Sequence, residues 1–149
     1  MAFKDLWDAY PKNTDPCTNP VSLEPCFENQ CAIRMGVCLA RCNFDMKKFE
    51  GVRCWYHPKS DNHTLRVEEL KLFLADVLPN DSLTIKRKLP TRDISVSDFT
   101  DKSGIIIFIN FWGDNNQGDH IDLLYEDELA SGDMEYFERS ERVYLWEID

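Results

Sequence analysis

Six cysteines and three histidines hold most of the nucleophilic and general-base chemistry open to this chain. A cysteine attacks as its thiolate, and the positive end of a helix dipole together with a nearby imidazole stabilises that form. Cys31 meets the first condition. It opens the stretch CAIRMGVCLARC, in which Ile33, Val37 and Ala40 recur at helical spacing and Asn29 is placed to act as N-cap. The imidazole must come from His57, His63 or His120. His120 begins a strand-like segment, HIDLLY, just after the turn cluster GDNNQGD, where a sheet edge would hold the ring rigidly yet leave it accessible. A cysteine at a helix start facing a histidine on a strand is a nucleophile–base pair set by geometry, indifferent to sequence separation. Each residue alone also has a plain structural role, Cys31 as a small buried hydrophobe and His120 as a hydrogen-bonded surface ring.

A second pattern competes. Cys38-x3-Cys42-x11-Cys54-x2-His57 has the ligand types and roughly the spacing of a structural zinc site. On that alternative the chain is a non-catalytic, zinc-stabilised binding or adaptor domain using Cys38, Cys42, Cys54 and His57, with an acidic surface turned to a basic partner. Against it, Cys38 and Cys42 lie on the same periodic helix as Cys31, where packing buries thiols without a metal. Cys17 and Cys26 can join as a disulfide in an oxidising compartment, whereas Cys38 and Cys42 are poorly placed for disulfide geometry.

The elements that must position these groups follow from the hydropathy pattern. Residues 1–28 carry Pro11, Pro16, Pro20 and Pro25 among polar residues and read as a Pro-rich wrapping arm, its start pinned by Phe3, Leu6 and Trp7 in a short helix. A second main helix runs from about Thr64 to Leu78, with Val67, Leu70, Leu74 and Val77 on one face and Pro79 closing it. Asp93 to Thr100 has room for one helical turn. Ile105 to Phe111, bounded by Gly104 and Gly113, reads as a central strand that forms a hairpin with His120 to Tyr125. Arg142 to Ile148 gives another strand with Tyr144, Trp146 and Ile148 on one face. Helices followed by antiparallel strands indicate one α+β domain over residues 1–149.

Composition narrows the partners. Lys plus Arg number 17 against 27 Asp plus Glu, a net charge of −10, and no basic stripe is present, so nucleic acid is excluded as a partner. The longest apolar run, Ile105 to Trp112, falls far short of the roughly 20 residues that cross a bilayer, so no membrane insertion is expected. The N-terminus lacks the pattern of a Sec-type signal peptide, which is expected of a cytosolic protein or of one exported by another machine.

Two blocks give a family likeness. Asn29-Gln30-Cys31-Ala32-Ile33-Arg34-Met35 resembles the nucleophile motif of the fourth family of bacterial type VI secretion amidase effectors, and Gly118-Asp119-His120-Ile121-Asp122-Leu123 resembles its histidine motif. The likeness spans most of residues 3–125, taking in Phe3 to Pro11, Leu65 to Leu74 and Gly104 to Trp112. It implies a papain-like cysteine peptidase fold, N-terminal helices packed on an antiparallel β-sheet. The implied activity is hydrolysis of the amide between D-glutamate and meso-diaminopimelate in peptidoglycan stem peptides, without metal or organic cofactor. Cys31 is then the nucleophile and His120 the base, with the Cys31 N–H among the oxyanion donors. The family's third catalytic position, an Asp, is Ser131 here, which leaves Asp122, Asp127 and Asp133 as candidates. Asp122 shares a strand face with His120 and is the one assigned. Arg34 and Gln30 are assigned to substrate binding, Arg34 having a structural salt bridge as its alternative. Gly36 departs from the family's usual serine. The resemblance further implies an immunity protein, a type VI secretion apparatus, and a protein made in the cytoplasm and delivered to the periplasm of a target bacterium.

Overall fold

Five strands in the order β1-β5-β2-β3-β4 form one antiparallel sheet, with the longer helices against one of its faces. In the computed structural model, which describes residues 2–110 and 118–149, the strands are β1 (Leu83–Arg87), β2 (Ser103–Ile109), β3 (Asp119–Tyr125), β4 (Glu128–Leu129) and β5 (Arg142–Glu147). The helices are α1 (Phe3–Ala9), α2 (Cys31–Arg41), α3 (Val67–Val77) and the short α4 (Tyr136–Arg139). This is the expected α+β architecture. The expected helical turn at 93–100 is a 3-10 turn, Val96–Phe99, held by a capping box in which Ser95 and Asp98 exchange bonds. Of the expected turn cluster, residues 113–117 lie outside the described residues, as does Phe111.

The sheet is buried on both faces, which is why β2 reads as a continuous apolar run without alternation. Ile105, Ile107 and Ile109 of β2, Ile121 and Leu123 of β3, and Tyr144 and Trp146 of β5 face the helices, where they meet Leu6, Met35, Leu39, Leu70 and Leu74. The alternate residues Ile106, Phe108, Leu124, Val143 and Leu145 face a second layer made by Ile94, Phe99, Leu129 and Phe137. The alternation places His120 and Asp122 on this second face, with Phe108 stacked beside the imidazole. β4 pairs only with Leu124 and Tyr125, so among the described residues the first half of β3 has no strand beyond it. At that opening it meets α2 instead.

The face of α2 differs from the expected one. Cys31, Met35, Cys38 and Leu39 carry the main contact, while Val37 and Ala40 are only half-buried and Ile33 joins a separate small cluster with Cys17 and Cys54. The arm is tied to this helix: Cys38 Sγ reaches Leu6 O at 3.2 Å, and Arg41 donates to Ala9 O at 3.0 Å. Gly36 has a steric reason. A Cβ there would meet the Thr64 side chain and lie 2.5 Å from the backbone oxygen of Asn62. Gly36→Ser is therefore expected to destabilise the protein by about 1–3 kcal/mol, despite the better helix propensity of serine, because a backbone oxygen has nowhere to go. The readout is a lower urea midpoint at unchanged slope; an unchanged or higher midpoint would show that the 62–64 segment yields freely.

Candidate active site

The N-terminus of α2 is organised around the two residues before Cys31. Asn29 Oδ1 accepts the Cys31 N–H at 3.1 Å, so the expected cap exists, set one residue before the N-cap position occupied by Gln30. Gln30 is 1% exposed and its amide is spent inward: Oε1 accepts the Cys17 N–H at 2.9 Å, while Nε2 donates to Cys17 O at 2.8 Å and Phe27 O at 3.1 Å. Its side chain clamps the arm under the helix start rather than projecting into the groove. Arg34 is likewise engaged with the arm, donating to Thr14 O at 2.6 Å and pairing with Asp15 at 2.7 Å. The structural salt bridge is formed, and Arg34 is also among the residues that line the groove.

Cys31, His120 and Asp122 come together. Cys31 and His120 line the same depression, with the sulfur near enough to act on the imidazole electrostatically, and His120 Nε2 lies 2.7 Å from Asp122 Oδ2. A carboxylate only accepts, so Nε2 carries the proton and Nδ1 is the nitrogen left for the sulfur. Asp122 is fully buried and fixed in turn, its Oδ1 accepting the N–H groups of Leu123 at 2.8 Å and Ser131 at 3.2 Å. The position where the resemblance expects an acidic side chain thus contributes a backbone donor that steadies Asp122. Burial alone would lower the His120 pKa, but the hydrogen bonds and charges of Asp122 and Cys31 outweigh it and raise it from 6.5 to about 9. An imidazolium persisting to that pH is the counter-charge a thiolate nucleophile needs.

His120 is less accessible than its sequence position implies, at 4% exposed. The reason is Tyr136, whose ring stacks on the imidazole with centroids 3.9 Å apart and planes 6° from parallel. Sequence reasoning missed Tyr136. The only available signal was the aromatic pair Tyr136-Phe137 ahead of β5. Burial, followed by the charges of Asp133, Cys31 and Asp122, pushes the Tyr136 hydroxyl up to about 12, so it stays protonated through neutral pH.

Cys31 is 3% exposed yet lies where two depressions meet. One, of about 390 Å³, contains His120, Tyr136, Ser131, Arg34 and Arg139; the other, of about 430 Å³, runs along Leu65, Arg66, Glu68 and Asp119. Asn29 and Cys31 line both, so an extended chain laid along the groove would cross the sulfur. The zinc set Cys38, Cys42, Cys54 and His57 does not assemble among the described residues. Cys38 packs between α1 and the sheet, whereas Cys54 turns to Cys17 on the other side of α2.

The family model for type VI secretion system (T6SS) amidase effector protein 4 matches residues 27–146. Among solved structures, Tae4 of the Tae4/Tai4 effector–immunity system from Salmonella typhimurium superposes with a TM-score of 0.71 at 21% identity, covering 99% of this chain and 98% of that one. Tae4 from Enterobacter cloacae in complex with Tai4 gives 0.70 at 19%, with the same coverages, and Tae4 from that organism alone gives 0.69 at 19%, over 99% of this chain and 96% of that one. The fold is shared from end to end, and it is papain-like. No curated protein sequence matches the chain.

Proposed function

Because the chain belongs to the amidase effector 4 family of the type VI secretion system, we propose that it acts as one domain and as a cysteine amidase, cutting the D-glutamyl–meso-diaminopimelate amide of peptidoglycan stem peptides. The observation that carries this reading is that Cys31 shares a depression with His120, itself hydrogen-bonded to the buried Asp122 carboxylate, at the floor of a groove open on both sides of the sulfur. The Cys31 thiolate attacks the amide carbon, and the carbonyl oxygen becomes an oxyanion. The Nδ1 proton of His120 passes to the departing diaminopimelate amine as the C–N bond breaks, leaving a thioester on Cys31. Water then gives a proton to Nδ1 and attacks the thioester, releasing the D-glutamate carboxylate and restoring the thiolate–imidazolium pair.

The oxyanion needs a donor, and the Cys31 N–H is already held by Asn29 Oδ1. The Asn29 side chain, on both walls of the groove, offers its Nδ2–H in the same place, or swings away to free the backbone donor. Arg34 and Arg139 meet stem-peptide carboxylates, which a chain of net charge −10 would otherwise repel. Gln30 serves binding indirectly, by holding the helix start. The protein is made in the cytoplasm of its producer and delivered by the secretion apparatus to the periplasm of a target bacterium. A cognate immunity protein, as in the Tae4/Tai4 pairs, silences it by covering the groove.

Purified sacculi incubated with the protein should release fragments carrying a free D-glutamate γ-carboxylate and a free diaminopimelate amine, identified by mass. Cleavage at another amide would overturn the bond assignment, and intact sacculi at micromolar enzyme would overturn the activity.

A further inference from the structure

Away from the groove, the arm and the α2–α3 connection bring five metal-ligating side chains together. Cys17 and Cys26 flank the tight pairing of Thr18 with Pro25 in the arm; Cys54, His57 and His63 lie in the loop closed by the pairing of Arg53 with Thr64. The Cys17 and Cys54 sulfurs are 3.3 Å apart, and these two with a ring nitrogen of His63 all lie within 4.8 Å of one another. Cys17, Cys26 and a nitrogen of His57 form a second such trio. A tetrahedral ion with Zn–S bonds of about 2.3 Å sets its sulfurs about 3.8 Å apart, so the two sulfurs, at 3.3 Å, need to part by only about half an ångström to hold one.

Three features distinguish this cluster from packed thiols. His63 is 7% exposed, and its Nδ1 has no hydrogen-bond partner among the described residues, a costly state when nothing is bound there. His57 points its Nε2–H at Thr18 O, 2.7 Å away, the bond a metal-ligating imidazole makes to its surroundings, with the Asp61 carboxylate 3.8 Å from its Nδ1. The Tyr56 N–H donates to Cys54 Sγ at 3.3 Å, so this sulfur has a backbone donor aimed at it.

We propose that the protein binds one structural zinc ion through Cys17, Cys54 and His63, with Cys26 or His57 closing the fourth position. The ion staples the arm to the α2–α3 connection. It also bears on the nucleophile without touching it, because Gln30, the residue before Cys31, grips both the N–H and the carbonyl of Cys17. The proposal is independent of the peptidase reading, since its test reads metal.

Full-length protein purified from zinc-supplemented medium without chelator should carry about one zinc per chain by elemental analysis. Cobalt added to the metal-stripped wild type should give a thiolate-to-cobalt charge-transfer band. Cys54→Ser and His63→Gln should each lower the zinc content at least tenfold, Cys42→Ser should leave it unchanged, and chelation should lower the wild-type Tm by about 5 °C or more. Wild-type protein that takes up neither zinc nor cobalt overturns the proposal, whether its thiols titrate as free or mass analysis finds a Cys17–Cys54 disulfide. Zinc that survives both ligand variants overturns it equally.

Discussion

Cys31→Ala is expected to bring the release of stem-peptide fragments to background, a fall of about 10⁴-fold or more, with the fold retained. Without the sulfur no thioester forms, and water attacking directly would lack the fixed approach that the helix start gives the thiolate. The structural cost is small: the side chain is 3% exposed, and losing one sulfur atom in a helix–sheet contact costs about 1 kcal/mol. Thermal melting separates the two effects. Cys31→Ser sharpens the test, since a hydroxyl keeps a polar group beside His120 yet is a far weaker nucleophile beside a protonated imidazole. Alanine-variant protein that still cuts sacculi at the wild-type rate would remove Cys31 from the mechanism.

The parts of the fold that bury the most apolar surface were legible in the sequence. β2, β3 and β5 are runs of β-branched and aromatic residues with turn formers at their ends, and α3 has its stripe at Val67, Leu70 and Leu74. β1 was not legible, because an edge strand with one paired neighbour carries charges, and LTIKR between Pro79 and Pro90 reads as a loop. The face of α2 was misplaced for another reason. Its core contacts are made by sulfur-bearing residues, Cys31, Met35 and Cys38, which an aliphatic pattern weights too lightly, while Ile33 turns toward Cys17 and Cys54.

The same divide runs through the site. Cys31 and His120 stood out because helix starts and strand starts leave local signals, and strand alternation alone put Asp122 beside His120. What sequence spacing concealed were contacts made by chain reversal. Tyr136 reaches the imidazole only because the segment after β4 doubles back over β3. Gln30 turns inward because its partner is the arm backbone at Cys17, and Cys54 meets Cys17 and His63 rather than the helical thiols with which its spacing grouped it.

Asp122→Asn is the variant expected to come next in severity, with kcat/KM falling by about 10²–10⁴-fold. An amide can turn its NH2 toward His120 Nε2, since Oδ1 of the residue is already held by the Leu123 and Ser131 N–H groups. Nε2 would then have to accept, moving the ring proton to Nδ1 and leaving a neutral ring with no lone pair for the Cys31 thiol proton. The pH dependence tests the cause directly. In the wild type His120 binds its proton more tightly folded than unfolded, with a pKa raised from 6.5 to about 9. Its contribution to stability is therefore complete below pH 6.5 and lost as pH rises through about 9. Activity that needs the imidazolium should fall along the same alkaline limb, near pH 9 in kcat/KM. Burial of the ring, which favours the neutral form, is unopposed by a carboxylate in the variant, so the limb should move toward or below 6.5. The extra stability between pH 6.5 and 9 should shrink with it. A variant whose activity drops while the limb stays near pH 9 would mean that Asp122 merely aims the ring, and that the Cys31 sulfur alone holds the proton on it.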